Sequence, residues 1–293
     1  MNTNNFGIVK HNVVPMRAQP DGASEQVSQA VAGDTFIWLA EHNSYVKART
    51  DDAYEGWILR RHVTEWKEGE HAWPLNEHPE KCGMVYTPFA ELLGSPGGKI
   101  QVRLPIGVRF RVLDKIQTEH GEMLRVAHPY KLTDPENPPI AYIAASSTHP
   151  APHGHTLIPF HGLTACALSL PMLGTPYLWG GTTPFGFDCS GLVQRIYRMM
   201  DIIIPRDADY QAESMLGERL TPVTTPHPGD LVFFCGASDP EGSAITHVGM
   251  ALNSHQFIHA WGIEGVTITE FNDPYFVSRC RTTDVWRYLN HRP

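Results

Sequence analysis

The sequence predicts an α+β domain that is preceded by two small β-barrels. The first half of the 293-residue chain carries short runs in which apolar and polar residues alternate between turn residues, a pattern typical of small barrels. Residues 146–162, rich in Pro, Gly and Ser, interrupt this pattern. Helical periodicity follows and strands come last, which is the order of an α+β domain. We therefore expect domains at 1–66, 67–148 and 149–293.

A weak internal repeat predicts the two barrels. The segment 107–112 resembles 33–38, and the segment 123–126 resembles 45–48. Units of about 65–80 residues are within the usual range of domain sizes. Strands of the first barrel are expected within 27–40, 45–50 and 54–63.

Two helices and five strands are predicted after the junction. The first helix, over 163–173, has a rough apolar stripe, and the second, over 189–200, repeats apolar side chains at helical spacing. The stripe of the first helix consists of Leu163, Ala167, Leu170 and Leu173. The strands are expected at 230–234, 246–252, 256–261, 266–269 and 285–288.

Charge and composition exclude several classes of partner. The formal charge is −8 and no long run of Lys and Arg occurs, which argues against nucleic acid. No window approaches the roughly 18 apolar residues of a membrane span, and the N-terminus lacks the features of a secretory signal. We therefore expect a cytoplasmic protein without a membrane partner. The five cysteines are scattered and include no CxxC pair, so neither a disulfide framework nor a metal or other cofactor is expected.

Cys189 is the candidate nucleophile. It follows Gly186-Phe187-Asp188 and stands at the predicted start of a helix, where unpaired N–H groups and the helix dipole favour a thiolate. A thiolate is the species that attacks in covalent catalysis. The alternative is a structural cysteine that is buried in the helix.

His247 and His259 are the candidate base and its orienting partner. They lie on two predicted strands that are joined by the turn Asn253-Ser254-His255. A hairpin centred on Asn253 places them directly opposite each other, and one centred on Ser254 makes them diagonal neighbours on one face. A centre between those two residues places them on opposite faces.

The order and spacing of several motifs across residues 163–290 resemble the NlpC/P60 cysteine peptidases. The motifs are Pro176-Tyr177-Leu178-Trp179-Gly180-Gly181, Phe187-Asp188-Cys189-Ser190-Gly191-Leu192, Pro205-Arg206-Asp207-Ala208, Pro228-Gly229-Asp230-Leu231, Thr246-His247-Val248-Gly249-Met250 and Phe257-Ile258-His259-Ala260. The resemblance implies a papain-like fold in which Cys189 is the nucleophile, His247 the general base and His259 the orienting residue. It also implies that the substrates are amide bonds in bacterial cell-wall peptides.

Two SH3b-like barrels ahead of such a domain resemble, more narrowly, the γ-D-glutamyl-L-diamino acid endopeptidases of murein peptide recycling. That resemblance implies a murein peptide substrate with a free N-terminal L-Ala, from which L-Ala-γ-D-Glu is released. It assigns Asp207 to an acidic pocket for the amine. Further substrate contacts are assigned to Trp179, Asp188, Ser190 and the barrel residues Tyr54 and Glu25.

Some of these residues have simpler interpretations. Asp207 is also a favoured N-cap residue for a helix over 208–217, and Tyr54 is also an ordinary barrel aromatic.

An acyl transfer needs donors to the oxyanion. The backbone N–H of Cys189 is a natural donor at a helix start, and the family pattern makes Tyr177 a second candidate.

Two further functions remain open at this point. The chain can be a non-catalytic protein that binds the cell wall with its barrels, in which case the thiol is inert. It can also be an acyltransferase, because an amine or alcohol can capture an acyl-enzyme in place of water. Labelling with iodoacetamide separates the first from an enzyme, and product analysis with added amines separates the second from a hydrolase.

Overall fold

A computed structural model describes most of the chain as two compact units. The described residues are 5–66, 81–129, 138–150, 160–213, 217–220, 225–239 and 244–288. One unit lies within residues 1–157 and the other within 158–293. The predicted boundary after residue 66 borders a segment outside the described residues, the one after residue 148 falls within β14 (Thr148–Pro150), and both stay predictions. No helix among the described residues is long and apolar enough to cross a membrane.

The N-terminal unit consists of two seven-stranded antiparallel sheets. The strands of the first are β1 (Phe6–Val9), β2 (Val13–Arg17), β3 (Gln26–Val31), β4 (Thr35–His42), β5 (Tyr45–Arg49), β6 (Glu55–Leu59) and β7 (Val63–Trp66). Those of the second are β8 (Cys82–Val85), β9 (Phe89–Leu93), β10 (Ile100–Pro105), β11 (Arg109–Thr118), β12 (Gly121–Ala127), β13 (Ile140–Ala144) and β14 (Thr148–Pro150). The strand orders, β3-β2-β6-β5-β4-β1-β7 and β10-β9-β13-β12-β11-β8-β14, are identical in topology.

The internal repeat in the sequence corresponds to this repeat of topology. The similar segments 33–38 and 107–112 lead into β4 and β11, which hold the same place in their sheets. Gly33 and Gly107 have φ angles of 87° and 88°, a left-handed conformation that glycine adopts without steric penalty. Each donates its N–H to the end of the first strand of its own sheet, at a distance of 3.0 Å in both cases.

The two sheets share part of their apolar packing. Val31 and Ala32, at the end of β3, belong to the buried cluster that otherwise consists of second-sheet residues. The Asn12 side-chain amide donates a hydrogen bond of 2.8 Å to the Arg103 carbonyl. Burying these apolar residues at the junction stabilises the two sheets as one unit.

In its described residues, the C-terminal unit places three short helices before a six-stranded antiparallel sheet and a fourth between the last two strands of that sheet. Its helices are α1 (Gly162–Ser169), α2 (Cys189–Arg198), α3 (Ala208–Ala212) and α4 (Pro274–Val277). A small hairpin pairs β15 (Thr182–Thr183) with β16 (Gly186–Phe187). The remaining strands are β17 (Gly217–Leu220), β18 (Leu231–Gly236), β19 (Ile245–Ala251), β20 (Gln256–Trp261), β21 (Gly265–Glu270) and β22 (Cys280–Tyr288). They lie in the order β17-β22-β18-β19-β20-β21.

The predicted stripe of the first helix is wrong, because those side chains point outward. Leu163 is 60% exposed, and the other members of the stripe are exposed as well. The inner face carries small residues such as Ala165 and Cys166. The helix begins so close to the segment before β18 that a Cβ on Gly162 would lie 1.7 Å from the Pro228 carbonyl oxygen. Only glycine at position 162 permits this approach.

Candidate active site

The nucleophile candidate begins α2, and the residue before it caps that helix. Asp188 Oδ1 accepts a hydrogen bond of 2.7 Å from the Gly191 N–H, and Oδ2 accepts one of 2.9 Å from the Gly180 N–H. The first bond is a standard N-cap contact, and the second ties the preceding loop to the helix. The side chain of Asp188 therefore fixes the backbone on both sides of Cys189.

A buried arginine neutralises the capping carboxylate. Arg206 Nη1 and Nη2 lie 3.1 and 2.6 Å from the two oxygens of Asp188, and Nη1 also donates to Ser190 Oγ at 2.8 Å. Arg206 is only 2% exposed. Because a buried carboxylate requires a charged or hydrogen-bonding partner, this pairing offsets the cost of burying the Asp188 side chain.

Close backbone packing also holds the start of α2. A Cβ on Gly191 would lie 2.1 Å from the Gly181 carbonyl oxygen and 2.9 Å from Asp188 Oδ1. The same Gly181 carbonyl accepts the Asp188 N–H at 3.1 Å. The position therefore requires glycine, because any side chain would push the helix away from the loop that carries the cap.

His247 and His259 are hydrogen-bonded neighbours. The register between β19 and β20 pairs Met250 with Ile258, which centres the hairpin on Ser254 and makes the two histidines diagonal neighbours on one face. His247 Nε2 lies 2.8 Å from His259 Nδ1. Of the three registers that the turn allowed, the structure therefore has the one that is centred on Ser254.

A threonine extends the pair of histidines into a chain of three side chains. His259 Nε2 lies 2.9 Å from Thr269 Oγ1 on the neighbouring strand β21. Aromatic rings enclose the pair, with the Trp261 ring centroid 5.0 Å and the Phe276 ring centroid 6.1 Å from that of His247. These rings keep the histidines in apolar surroundings.

Helix α2 brings Cys189 to the strand that carries His247. The helix packs against β19 and β20, and the Cys189 thiol has a backbone hydrogen bond with Val248, the residue after His247. Since His247 Nε2 is bound to His259, Nδ1 is the ring nitrogen available to a thiol. The arrangement can transfer a proton from sulfur to imidazole and so generate a nucleophile.

Burial keeps both reacting groups neutral. It raises the pKa of Cys189 to about 12, with the negative charge of Asp188 acting in the same direction. It lowers the pKa of His247 to about 3, and it holds the pKa of His259 well below its ordinary value. Burial therefore opposes the effect of the helix start, where the N–H groups of Val248 and Ser190 lower the pKa of the thiol.

Tyr177 lies near the thiol. It is half-buried, and an isolated bridge pairs it with Phe187, two residues before Cys189. Burial raises the pKa of Tyr177, and the neighbouring Asp188 carboxylate raises it further. Its hydroxyl stays protonated at neutral pH and can donate a hydrogen bond.

The other predicted site residues occupy varied positions. Trp179 is 61% exposed in the loop before α2. Asp207 is half-buried at the N-cap position of α3, but its side chain makes no capping hydrogen bond, and the helix ends at Ala212 rather than at 217. Tyr54 is half-buried and Glu25 is exposed. Both belong to the N-terminal unit, so their contact with substrate stays a prediction.

Sequence reasoning did not identify Arg206 or Thr269 as part of the site. Arg206 could have been inferred from its place in the Pro205-Arg206-Asp207 motif and from the need of a buried Asp188 for a cation. Thr269 gave no comparable signal, because its contact with His259 depends on the register of β21 against β20.

Two family models match the chain. The one described as NlpC/P60 family matches residues 174–285, and the one described as Bacterial SH3 domain matches residues 12–64. The first range contains Cys189 and both histidines. The second covers most of the first N-terminal sheet.

Relatives of known name and structure agree with these models. The gamma-D-glutamyl-L-lysine dipeptidyl-peptidase of Bacillus cereus (strain ATCC 10987 / NRS 248) is 38% identical over 267 residues, which cover 87% of this chain and 73% of that protein. The gamma-DL-glutamyl hydrolase of Bacillus subtilis (strain 168) is 38% identical over 120 residues, but these cover 40% of this chain and only 27% of that protein. A crystal structure of an NlpC/P60 family protein from Bacillus cereus ATCC 10987 matches with a TM-score of 0.77 at 20% identity, covering 97% of this chain and 99% of that one. At that identity, the structural match shows the fold.

A cysteine at a helix start beside a hydrogen-bonded pair of histidines is the arrangement of a cysteine peptidase. The extent of the match to the Bacillus cereus relative shows the family to which the chain belongs. The chain belongs to the NlpC/P60 family of cysteine peptidases and carries a bacterial SH3 domain at its N-terminal side.

Proposed function

We propose that this chain is an endopeptidase of murein peptides that cuts the bond between γ-D-Glu and a diamino acid. The observation that carries the proposal is the position of Cys189 at the capped start of α2, beside His247 and its partner His259. The relatives named for γ-glutamyl peptide hydrolysis indicate the substrate class. The acceptor of the acyl group is water, so the reaction is hydrolysis.

The geometry gives each group a role in acyl transfer. His247 Nδ1 takes the thiol proton, and the Cys189 sulfur attacks the γ-carbonyl carbon of D-Glu. When the C–N bond breaks, the proton on His247 passes to the leaving amine of the diamino acid, and a thioester remains on Cys189. Water then attacks the thioester, with His247 accepting one proton and returning it to sulfur.

The oxyanion is stabilised at the start of α2. The backbone N–H of Cys189 is not consumed by the helix, because the first N–H groups of a helix have no intrahelical acceptor. Tyr177, whose raised pKa keeps its hydroxyl protonated, supplies the second donor. In this proposal both groups donate to the oxyanion of the tetrahedral intermediate.

The free N-terminal amine of the substrate is recognised by Asp207. An ammonium group that leaves water needs a nearby carboxylate to offset its desolvation. Asp207 follows Arg206, and Arg206 binds the Asp188 carboxylate and the Ser190 hydroxyl on either side of Cys189 in sequence. The same arginine therefore holds both the amine pocket and the nucleophile in place. Asp188 and Ser190 contribute through that support, and exposed Trp179 forms the outer wall.

The N-terminal unit completes the proposed specificity. Tyr54 and Glu25, on the matched bacterial SH3 domain, bind the L-Ala end of the substrate. The second sheet is a second domain of the same kind, an assignment supported by its identical strand order. In this proposal the protein acts in the cytoplasm on peptides released during murein recycling.

A pair of substrates and a pair of variants test the proposal. L-Ala-γ-D-Glu-diaminopimelate should release L-Ala-γ-D-Glu, whereas the N-acetylated peptide should be cut poorly. The Asp207→Asn variant should lose about tenfold or more in kcat/KM on the free-amine peptide, because the ion pair to the ammonium is lost. It should lose little on the acetylated one.

Asp209→Asn is the matched control, since Asp209 is an exposed carboxylate on the same short helix. It should cut both peptides like the unaltered chain. No dipeptide at high enzyme concentration would refute the hydrolase. Equal rates on free and acetylated peptides would refute the amine pocket alone.

A further inference from the structure

Thr269 ends a continuous chain of hydrogen bonds that starts at His247. The Thr269 hydroxyl oxygen lies 2.9 Å from His259 Nε2, and His259 Nδ1 lies 2.8 Å from His247 Nε2. His259 is 1% exposed, so water does not easily replace either partner. The position of each proton along this chain therefore depends on the other two side chains.

Only one arrangement of protons allows His247 to act as a base. If His247 Nε2 donates to His259 Nδ1, then His247 Nδ1 carries a lone pair, and the proton of His259 must sit on Nε2 and point at Thr269. In the opposite arrangement, His259 Nδ1 donates to His247 Nε2. The proton of His247 is then on Nδ1, where it cannot accept the proton of Cys189.

The hydrogen bond that Thr269 accepts from His259 becomes necessary during the reaction. Before reaction the Thr269 hydroxyl, which can donate or accept, accepts from His259 Nε2 in the arrangement that leaves His247 Nδ1 with its lone pair. Once His247 has taken the thiol proton, both of its ring nitrogens carry hydrogen, and His259 Nδ1 can only accept. The His259 Nε2–H must then find an acceptor, and a buried N–H without one is costly.

We propose that Thr269 is a positioning residue that accepts from His259 Nε2 and so keeps His247 Nδ1 ready to take the proton of Cys189. This inference rests on the proposed hydrolase function and adds to it a residue that acts through His259 rather than on the substrate.

Replacing the hydroxyl tests the proposal. Thr269→Val keeps the shape of the side chain but removes the acceptor, and kcat/KM should fall about tenfold, the value of one buried hydrogen bond in the reaction. Thr269→Ser keeps the acceptor and should retain most of the activity. Thr267→Val is the matched control, since Thr267 lies on the same strand directly opposite His259 in the register. It should leave kcat/KM unchanged, and thermal melts should show that all three variants fold.

The tautomer of His259 can be measured directly, and it would not change if Thr269 had only a structural role. In the substrate-free protein, ¹⁵N NMR of the histidine rings should place the proton of His259 on Nε2. In Thr269→Val it should move toward Nδ1. An unchanged Nε2–H tautomer in a folded Thr269→Val protein would overturn the proposal, as would an equal loss of activity in Thr267→Val. Because the NMR measurement needs no substrate, it separates this inference from the proposed hydrolase function, which would fail if the unaltered chain released no dipeptide.

Discussion

At the scale of single residues, burial decides the ionisation of the two reacting groups. It raises the pKa of Cys189 and lowers that of His247, so the free protein holds a neutral thiol beside a neutral imidazole. The N–H groups at the start of α2 act against this, but they do not offset the loss of water around the sulfur. In the proposed mechanism, the thiolate therefore forms as the proton moves to His247 during attack.

The pH dependence of alkylation follows from these shifts. Below its raised pKa the thiol stays protonated, so the rate at which iodoacetamide labels Cys189 should rise with pH through neutrality and continue to rise above pH 9. An ordinary exposed cysteine, with a pKa of about 8.5, levels off in that range. The measurement is the labelling rate of the peptide that contains Cys189, followed by mass spectrometry, with the denatured chain as the control. A plateau between pH 5 and pH 7 would instead show a preformed thiolate and contradict the account.

The sequence predicted the candidate catalytic residues better than the residues that hold them in place. Cys189 and the two histidines could be predicted because the family motifs fix their order and spacing. Thr269 could not, because a contact between neighbouring strands depends on a register that a single sequence leaves open. The burial of the thiol, which raises its pKa, could not be predicted from the helix start alone, because burial is a property of the whole fold.

At the scale of elements, α2 is held at its N-terminus by contacts that leave no room for movement. Asp188 caps the helix and bonds to the preceding loop, and Arg206 binds that carboxylate from the far side. Gly191 allows the helix to approach the Gly181 carbonyl. These neighbours fix position 189 in addition to the hydrogen bond between the thiol and the Val248 backbone.

Gly191→Ala tests the close approach. The new methyl group would lie 2.1 Å from the Gly181 carbonyl oxygen, so the start of α2 must shift. We expect about 1–3 kcal/mol of destabilisation and a fall in kcat/KM of about tenfold or more, because a small displacement of a nucleophile has a large effect on rate.

Gly236→Ala is the control for that change. A Cβ at Gly236, at the end of β18, would meet nothing within 4 Å. It should leave both denaturant unfolding and kcat/KM close to those of the unaltered chain. If Gly191→Ala behaves the same way, the close packing at α2 does not position Cys189.

The elements themselves were predicted unevenly. Helix α2 and strands β18 to β21 were found close to their observed bounds, because strong apolar periodicity marks them. The helix expected from Asp207 to residue 217 is wrong in length, and β17 was not predicted. Short segments such as α3 depend more on their neighbours than on periodicity.

At the scale of the whole molecule, the chain combines a repeated sheet with one catalytic unit. The N-terminal sheets repeat one topology and join through Val31 and Ala32. The weak internal repeat in the sequence corresponds to the repeated strand order, since Gly33 and Gly107 mark the same turn, and the assignment of both sheets as SH3b barrels stays a prediction. It could not predict the shared packing, because contacts between units leave no periodic pattern.

The central claim is that Cys189 carries an acyl intermediate during hydrolysis of a γ-D-glutamyl peptide bond. The most direct test is to mix the protein with L-Ala-γ-D-Glu-diaminopimelate, quench the reaction in acid at short times and measure the intact mass. The account predicts a transient increase equal to an L-Ala-γ-D-glutamyl group, mapped to Cys189 and missing in Cys189→Ala, which should also release no dipeptide. Release of dipeptide by Cys189→Ala, or an acyl group mapped to another residue, would contradict it.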